Sequence, residues 1–244
     1  MRYVLGIILV MLFSVACSAK PVVYTPEQLK AALLTADDLG GKWKVMSSSD
    51  GIGTTTPTPT ATPNASPTAT GTSAANNGGG SGCAYLKQFV GKGKDAAEPA
   101  ARADRPSTTF SVDTFGPFMS HKVYSPGEAE AKKSISQLAT LVSNCKTFQI
   151  ADDDGTASQF TVERIDLKNA ADDTIALRLG TTAPPSILGT VKIEVDLVMV
   201  RRAGVVSQMS WVGLNSSPDT GFIQRLTDTV GTKLKNLNNA PNPR

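Results

Sequence analysis

Hydrophobic residues along this chain recur at two spacings, every second position or every third and fourth, and the switches between them mark the elements. Phe110 and Val112 alternate with polar neighbours over Thr109–Phe115, Gly116-Pro117 supplies a turn, and Phe118–Tyr124 returns as a second strand. The period then lengthens. Ile135, Leu138, Ala139 and Val142 fall on one stripe of a helix, opened by Ser125-Pro126-Gly127-Glu128, which reads as a capping box with proline at the first helical position. Alternation resumes in Thr147–Ile150 and in Gln159–Leu167, where Phe160 and Val162 share one parity and Ile165 and Leu167 the other, predicting a bulge near Arg164.

Ile175, Leu177 and Leu179 alternate cleanly within Asp172–Thr182, and Pro184-Pro185 break the run. The longest strand spans Thr190–Arg201. One face carries Val191, Ile193, Val195, Leu197 and Met199; the other begins with Lys192, Glu194 and Asp196 and ends with Val198 and Val200, so its second half is predicted to be covered on both sides. Ala203-Gly204 turn the chain into Val205–Gly213, with Val205, Met209 and Trp211 on one side. Ser217-Pro218 then start a terminal helix with the stripe Ile223, Leu226, Val230 and Leu234.

Before these elements, Thr25-Pro26-Glu27-Gln28 is a capping box that places Leu29, Ala32 and Leu33 on one face, Gly40-Gly41 end that helix, and Trp43–Met46 reads as a short strand. From Gly51 to Gly82 the sequence turns to Thr/Pro and Asn/Gly tracts with nothing apolar larger than Ala after Ile52; such a stretch cannot repay its ordering entropy and is expected to be disordered. Structured sequence lies on both sides of it. We therefore expect a single domain at residues 25–244, interrupted at 51–82, of α+β class: an antiparallel sheet of about six to seven strands packed against two main helices.

The first residues read differently. Arg2 precedes an apolar run from Val4 to Val15, too short for a membrane span, and then the small residues Ala16, Cys17, Ser18 and Ala19, which together make a signal peptide of residues 1–16. Ser14-Val15-Ala16-Cys17 resembles the box that ends bacterial lipoprotein signals, with Cys17 as the lipid-bearing residue and 17–24 as the anchored segment, although Ser14 stands where Leu or Val is usual. Ser14 and Ala16 also suit ordinary cleavage, which would release a secreted protein, so both readings stand. Cysteine parity bears on the choice: of Cys17, Cys83 and Cys145, lipidation of the first leaves the other two as one pair, whereas a soluble chain would carry an odd thiol. Cys145 continues the stripe of Val142 at the inner edge of its helix, where it can meet Cys83.

Charge and composition exclude more than they assign. Taking Arg2 from the 24 basic residues leaves 23 against 21 acidic ones, a balance of +2 that gives no footprint for nucleic acid. Three cysteines and one histidine at these spacings form no zinc site, and no metal or other cofactor is expected. His121, the sole histidine, sits on a strand beside Met119 and Val123 and reads as structural or surface. Ser143 and Lys146 match Ser-x-x-Lys without the companion motifs of that chemistry and at the wrong end of a helix. Asp152-Asp153-Asp154 lack the alternate spacing of a calcium loop, and Gly91-Lys92-Gly93-Lys94 lacks that of a phosphate loop. Neither Gly-x-Ser-x-Gly nor His-Glu-x-x-His occurs, so an enzyme is not expected. Trp211, Met209 and Trp43 are conceivable ligand-lining residues, though each also suits plain core.

Leu33-Leu34-Thr35-Ala36-Asp37-Asp38-Leu39-Gly40-Gly41-Lys42-Trp43, the Cys83 that opens the second part, the helix ending in Asn144-Cys145-Lys146-Thr147-Phe148 and the strand-rich end together resemble the extracellular sensor domain of the actinobacterial serine/threonine kinase PknH, a family that includes stand-alone lipoproteins. The resemblance spans roughly Tyr24 to Leu237. It implies an antiparallel sheet flanked by helices and a cleft for an unidentified ligand outside the cell. It departs in having no kinase or transmembrane segment in these residues and one possible intradomain disulfide where the kinase domain has two. The expectation is an extracytoplasmic lipoprotein on the cell membrane, a ligand-binding or sensor-like module for a small envelope ligand. The alternatives are a scaffold acting on an envelope protein and a lipid carrier.

Overall fold

The computed structural model describes residues 24–48, 83, 86, 105–114, 116–151, 157–182 and 190–237. Cys17, the 51–82 segment, Gly91–Lys94 and Asp152–Asp154 lie outside them. Eight strands form one antiparallel sheet: β1 (Lys44–Ser48), β2 (Ser107–Ser111), β3 (Phe118–Tyr124), β4 (Thr147–Ala151), β5 (Ala157–Arg164), β6 (Asp173–Thr182), β7 (Lys192–Arg202) and β8 (Val205–Leu214), in the order β1-β2-β3-β8-β7-β6-β5-β4. Among the described residues the helices that accompany it are α1 (Pro26–Ala31), α2 (Ala36–Leu39), α3 (Glu128–Asn144) and α4 (Thr220–Leu237). The class is α+β as expected, with one or two strands more than the pattern suggested.

Strand alternation divides the core in two. On β7, Leu197 and Met199 face one way and join Ile175, Leu177 and Leu179 of β6 beneath α3, while Val198 and Val200 face the other way and join Met119, Val123, Met209 and the α4 stripe. The sheet thus carries a helix on each face, which is why the middle of β7 is apolar on both parities. Ile223, Leu226, Val230 and Leu234 of α4 are all buried, each worth roughly 1.5–3 kcal/mol relative to exposure. On α3 the buried set is Ala131, Ile135, Leu138, Leu141 and Val142, so Leu141 takes the place expected of Ala139.

Four local expectations differ from the structure. The first helix is two short ones. The Thr25 box caps α1 as read, but α1 ends at Ala31 with Ala32 as its C-cap, and a second box, Thr35 with Asp38, opens α2, which closes on Gly40 at φ 86°. Ser125 does not cap α3: the N-cap is Gly127, at φ 90°, and the Ser125 hydroxyl donates instead to the Gly204 carbonyl of the β7–β8 turn, which packs against Gly127. No bulge interrupts β5. The strand stops at Arg164, and the chain crosses so that Ile165 and Leu167 join the α4 side, which accounts for the change of parity. The irregularity lies instead on β1, between Val45 and Ser47. Finally, α4 begins two residues later than expected, with Asp219 accepting from the Phe222 amide. Ser217 and Pro218 are engaged elsewhere.

Candidate functional site

Arg178 of β6 is registered directly opposite Asp196 of β7, so both side chains leave the same face of the sheet at the level of the α4 N-terminus. The guanidinium grips the carboxylate with Nε at 2.7 Å and Nη2 at 2.9 Å, and Nη2 also donates to the Pro218 carbonyl at 3.1 Å. Asp196 is only 2 % exposed. Burial pushes its carboxyl above the usual carboxylate range despite the opposing pull of Arg178, whose own pKa the hydrogen bonds to Asp196 raise. Two residues along β7, Glu194 accepts from the Ser217 hydroxyl and pairs with Lys192. Burial works against its charge, but these two partners together, with Arg178 nearby, hold its pKa below the usual value. Asn215, at φ 55°, exchanges two further bonds with the backbone of Lys192, at 2.7 and 2.8 Å.

These contacts fasten the segment Asn215–Asp219 across the ends of β7 and β8. Between Pro218 of this segment and the first turn of α4 lies a partly open apolar cavity of about 20 Å³, lined by Met119, Val198, Met209, Trp211, Phe222 and Ile223 and bordered by Asp196. Trp211 stands between Trp43 at 4.8 Å and Phe222 at 5.6 Å, both in edge-to-face geometry. Its indole Nε1 is buried and has no hydrogen-bond partner among the described residues. Gly213 shows where the indole nitrogen sits: a Cβ there would overlap the Ser216 carbonyl and approach Trp211 Nε1 to 3.3 Å. The unpaired donor therefore lies beside Gly213, close to the Ser216 carbonyl of the segment just described.

His121 is fully buried between strands and the N-terminal helices. Its Nδ1 accepts from the Leu34 amide at 2.9 Å, and because that amide can only donate, Nε2 carries the proton and donates to Ser207 Oγ at 2.7 Å. Burial, reinforced by Lys233 and opposed by Asp38, pushes its pKa down to about 3. The ring is a neutral pin joining β3, β8 and the α1–α2 connection.

Cys83 and Cys145 are joined in a disulfide with Cα atoms 5.2 Å apart, Cys145 being the buried C-cap of α3. Ser143 Oγ and Lys146 Nζ each donate to a carbonyl four residues back, of Ala139 and Val142, and do not meet as a pair. Asp172 and Asp173 bind Arg202 and Arg201 at the β7–β8 turn. Among the described residues no group of three or more His, Cys, Asp or Glu is placed to hold a metal ion. Of the residues singled out from sequence as lining candidates, Trp211 and Met209 border the cavity, and Trp43 supports Trp211 from behind. Arg178, Glu194, Asp196, Ser217 and Pro218 were missed. The available signal was Lys192, Glu194 and Asp196 sharing a face with Val198 and Val200 on the longest strand.

No family model and no curated protein matches this chain. A solved structure does: the crystal structure of the extracellular domain of PknH from Mycobacterium tuberculosis, with a TM-score of 0.51 and 14 % identity over 91 % of this chain and 99 % of that one. The fold is PknH-like. At this identity the likeness speaks for architecture, and it spans the whole of that extracellular domain.

Proposed function

We propose that this chain is an extracytoplasmic, lipid-anchored binding module of sensor type, held at the cell membrane through Cys17 and presenting its PknH-like fold to a small envelope ligand. The observation that carries the reading is the match to an extracellular domain over essentially its full length, in a chain whose first residues have the signal and Cys pattern of a lipoprotein. Among the described residues no helix is long and apolar enough to cross a membrane, and the anchor in this reading is the lipid. In this reading the role is binding rather than catalysis: the sole histidine is a buried neutral pin, and Arg178 with Asp196 and Arg201 with Asp173 are engaged with one another.

The test is native mass spectrometry of the protein extracted from membranes. Recovery of a bound small molecule is the expected result, and repeated recovery of bare protein under conditions that preserve the fold would count against it. A second reading, an interaction protein acting on an envelope partner, has one feature in its favour: β1 is an edge strand with Val45 53 % and Met46 58 % exposed. Crosslinking in cells through β1 would recover a reproducible protein partner if that reading holds. A lipid carrier gains no support from the α4 cavity, whose 20 Å³ is far below the roughly 300–1,000 Å³ of ligand pockets.

A further inference from the structure

The connection from β8 to α4 is held down by polar side chains together with one backbone bond, from the Asn215 amide to the Lys192 carbonyl. Arg178 reaches it at the Pro218 carbonyl, Glu194 at the Ser217 hydroxyl, and the Asn215 amide side chain at the Lys192 backbone. Beneath that polar fastening the surface is apolar, made of two methionines, two aromatic rings and branched aliphatic side chains. Methionine adapts its shape readily, so this lining can repack around a guest. Beside it is a directional group, the Trp211 Nε1–H, buried and without a partner among the described residues. A buried donor left unpaired costs about 1–3 kcal/mol, and a native fold keeps such a group where something offsets it.

We propose that Asn215–Asp219 is a latched strap over a binding site, and that lifting it opens the α4 cavity to a compact apolar or aromatic ligand whose carbonyl or ether oxygen accepts from Trp211 Nε1–H. This rests on the binding role proposed above and assigns that role a place and a ligand chemistry. The cavity is partly open, but its space of about 20 Å³ holds no more than one water-sized group, so a larger guest requires the strap to move. Movement need not disturb the sheet, because β7 and β8 remain paired from Ile193↔Leu214 to Arg202↔Val205 without the strap. The latch is charge-assisted: Arg178 is anchored by Asp196, with Glu194, Lys192 and, across β5, Glu163 as the other charges around it. Asp219 caps α4, accepting from the Phe222 amide. The Trp211 ring is held edge-to-face between Trp43 and Phe222, which fixes the direction of its N–H while the strap is down.

The indole N–H resonances of the two tryptophans provide the test, with assignment by Trp43→Phe. Arg178→Gln removes the bond to Pro218, and Ser217→Ala removes the bond to Glu194 with no change in buried charge, so the second variant still reports if the first fails to fold. The Leu34 amide, bonded to His121, serves as the folded-state control. We expect hydrogen exchange at Trp211 Nε1 to accelerate at least about tenfold in each variant, as for loss of a hydrogen bond to a charged group, with Leu34 unchanged. Acetophenone, a compact aromatic ketone, is expected to move the Trp211 resonance downfield, at lower concentration in the variants than in the native chain. Wild-type exchange at Trp211 in both variants would overturn the latch. Acceleration with no response to acetophenone would overturn the site. A small molecule recovered from membranes that leaves Trp211 unmoved would overturn this placement while leaving the broader binding role standing.

Discussion

Acidification should destabilise this protein through His121. In the folded state the ring is fully buried, its pKa is pushed down to about 3, and both nitrogens are engaged while neutral; in the unfolded chain it titrates near its ordinary 6.5. The unfolded state therefore binds a proton that the folded state refuses between those two values. The stabilisation is complete above 6.5 and is lost as pH falls towards 3. At about pH 4.5, two units below the unfolded value and still above the folded one, the loss is about 3 kcal/mol. That is a large share of the roughly 5–15 kcal/mol typical of a domain. Other carboxylates titrate in the same range, and Asp38, bonded to Thr35 and Lys233, loses its own stabilising charge as pH falls. A comparison with His121→Gln isolates the ring, because glutamine can accept from Leu34 and donate to Ser207 without taking up a proton. Urea unfolding of both proteins at about pH 7 and about pH 4.5 is the assay. The variant is expected to be less stable at neutral pH through imperfect packing, yet to lose about 3 kcal/mol less than the native chain on acidification. Equal losses in the two proteins would refute the buried neutral histidine.

The Cys83–Cys145 bond spans 62 residues, so replacing both cysteines with serine should lower stability by about 4 kcal/mol on the chain-entropy model, measured by denaturant unfolding under oxidising conditions. Gly231→Ala should cost about 1–3 kcal/mol, because a Cβ on that face of α4 would overlap the Ala170 carbonyl; a thermal midpoint equal to the native one would show that the helix can shift aside. Leu138→Ala, which hollows the core beneath α3, should cost about 2–5 kcal/mol by the same assay. Palmitate labelling in cells should be lost in Cys17→Ala, and retained labelling would remove the lipid anchor.

What the sequence determined by itself was local. Alternation placed β3, β6, β7 and β8 to within a residue or two, the 3.6-residue stripes placed α3 and α4, and the Thr25 capping box opened α1 as read, because each signal lies within a few residues of the structure it sets. The same stripe aimed Cys145 inward, where it meets Cys83. The signals that misled were local motifs whose hydroxyls had better partners far along the chain: Ser125 turned to Gly204, 79 residues on, and Ser217 to Glu194, 23 residues back. Only tertiary structure decided which helix covers which face of the sheet, and with it the fate of the polar half of β7. Glu194 and Asp196 look solvent-facing in the strand pattern, and they become buried because the α4 N-terminus and Arg178 close over them. His121 is the same case, its two bonds reaching 87 and 86 residues away. Periodicity records which side of an element is apolar. It carries nothing about which distant polar group arrives there, and the candidate site is built from such arrivals.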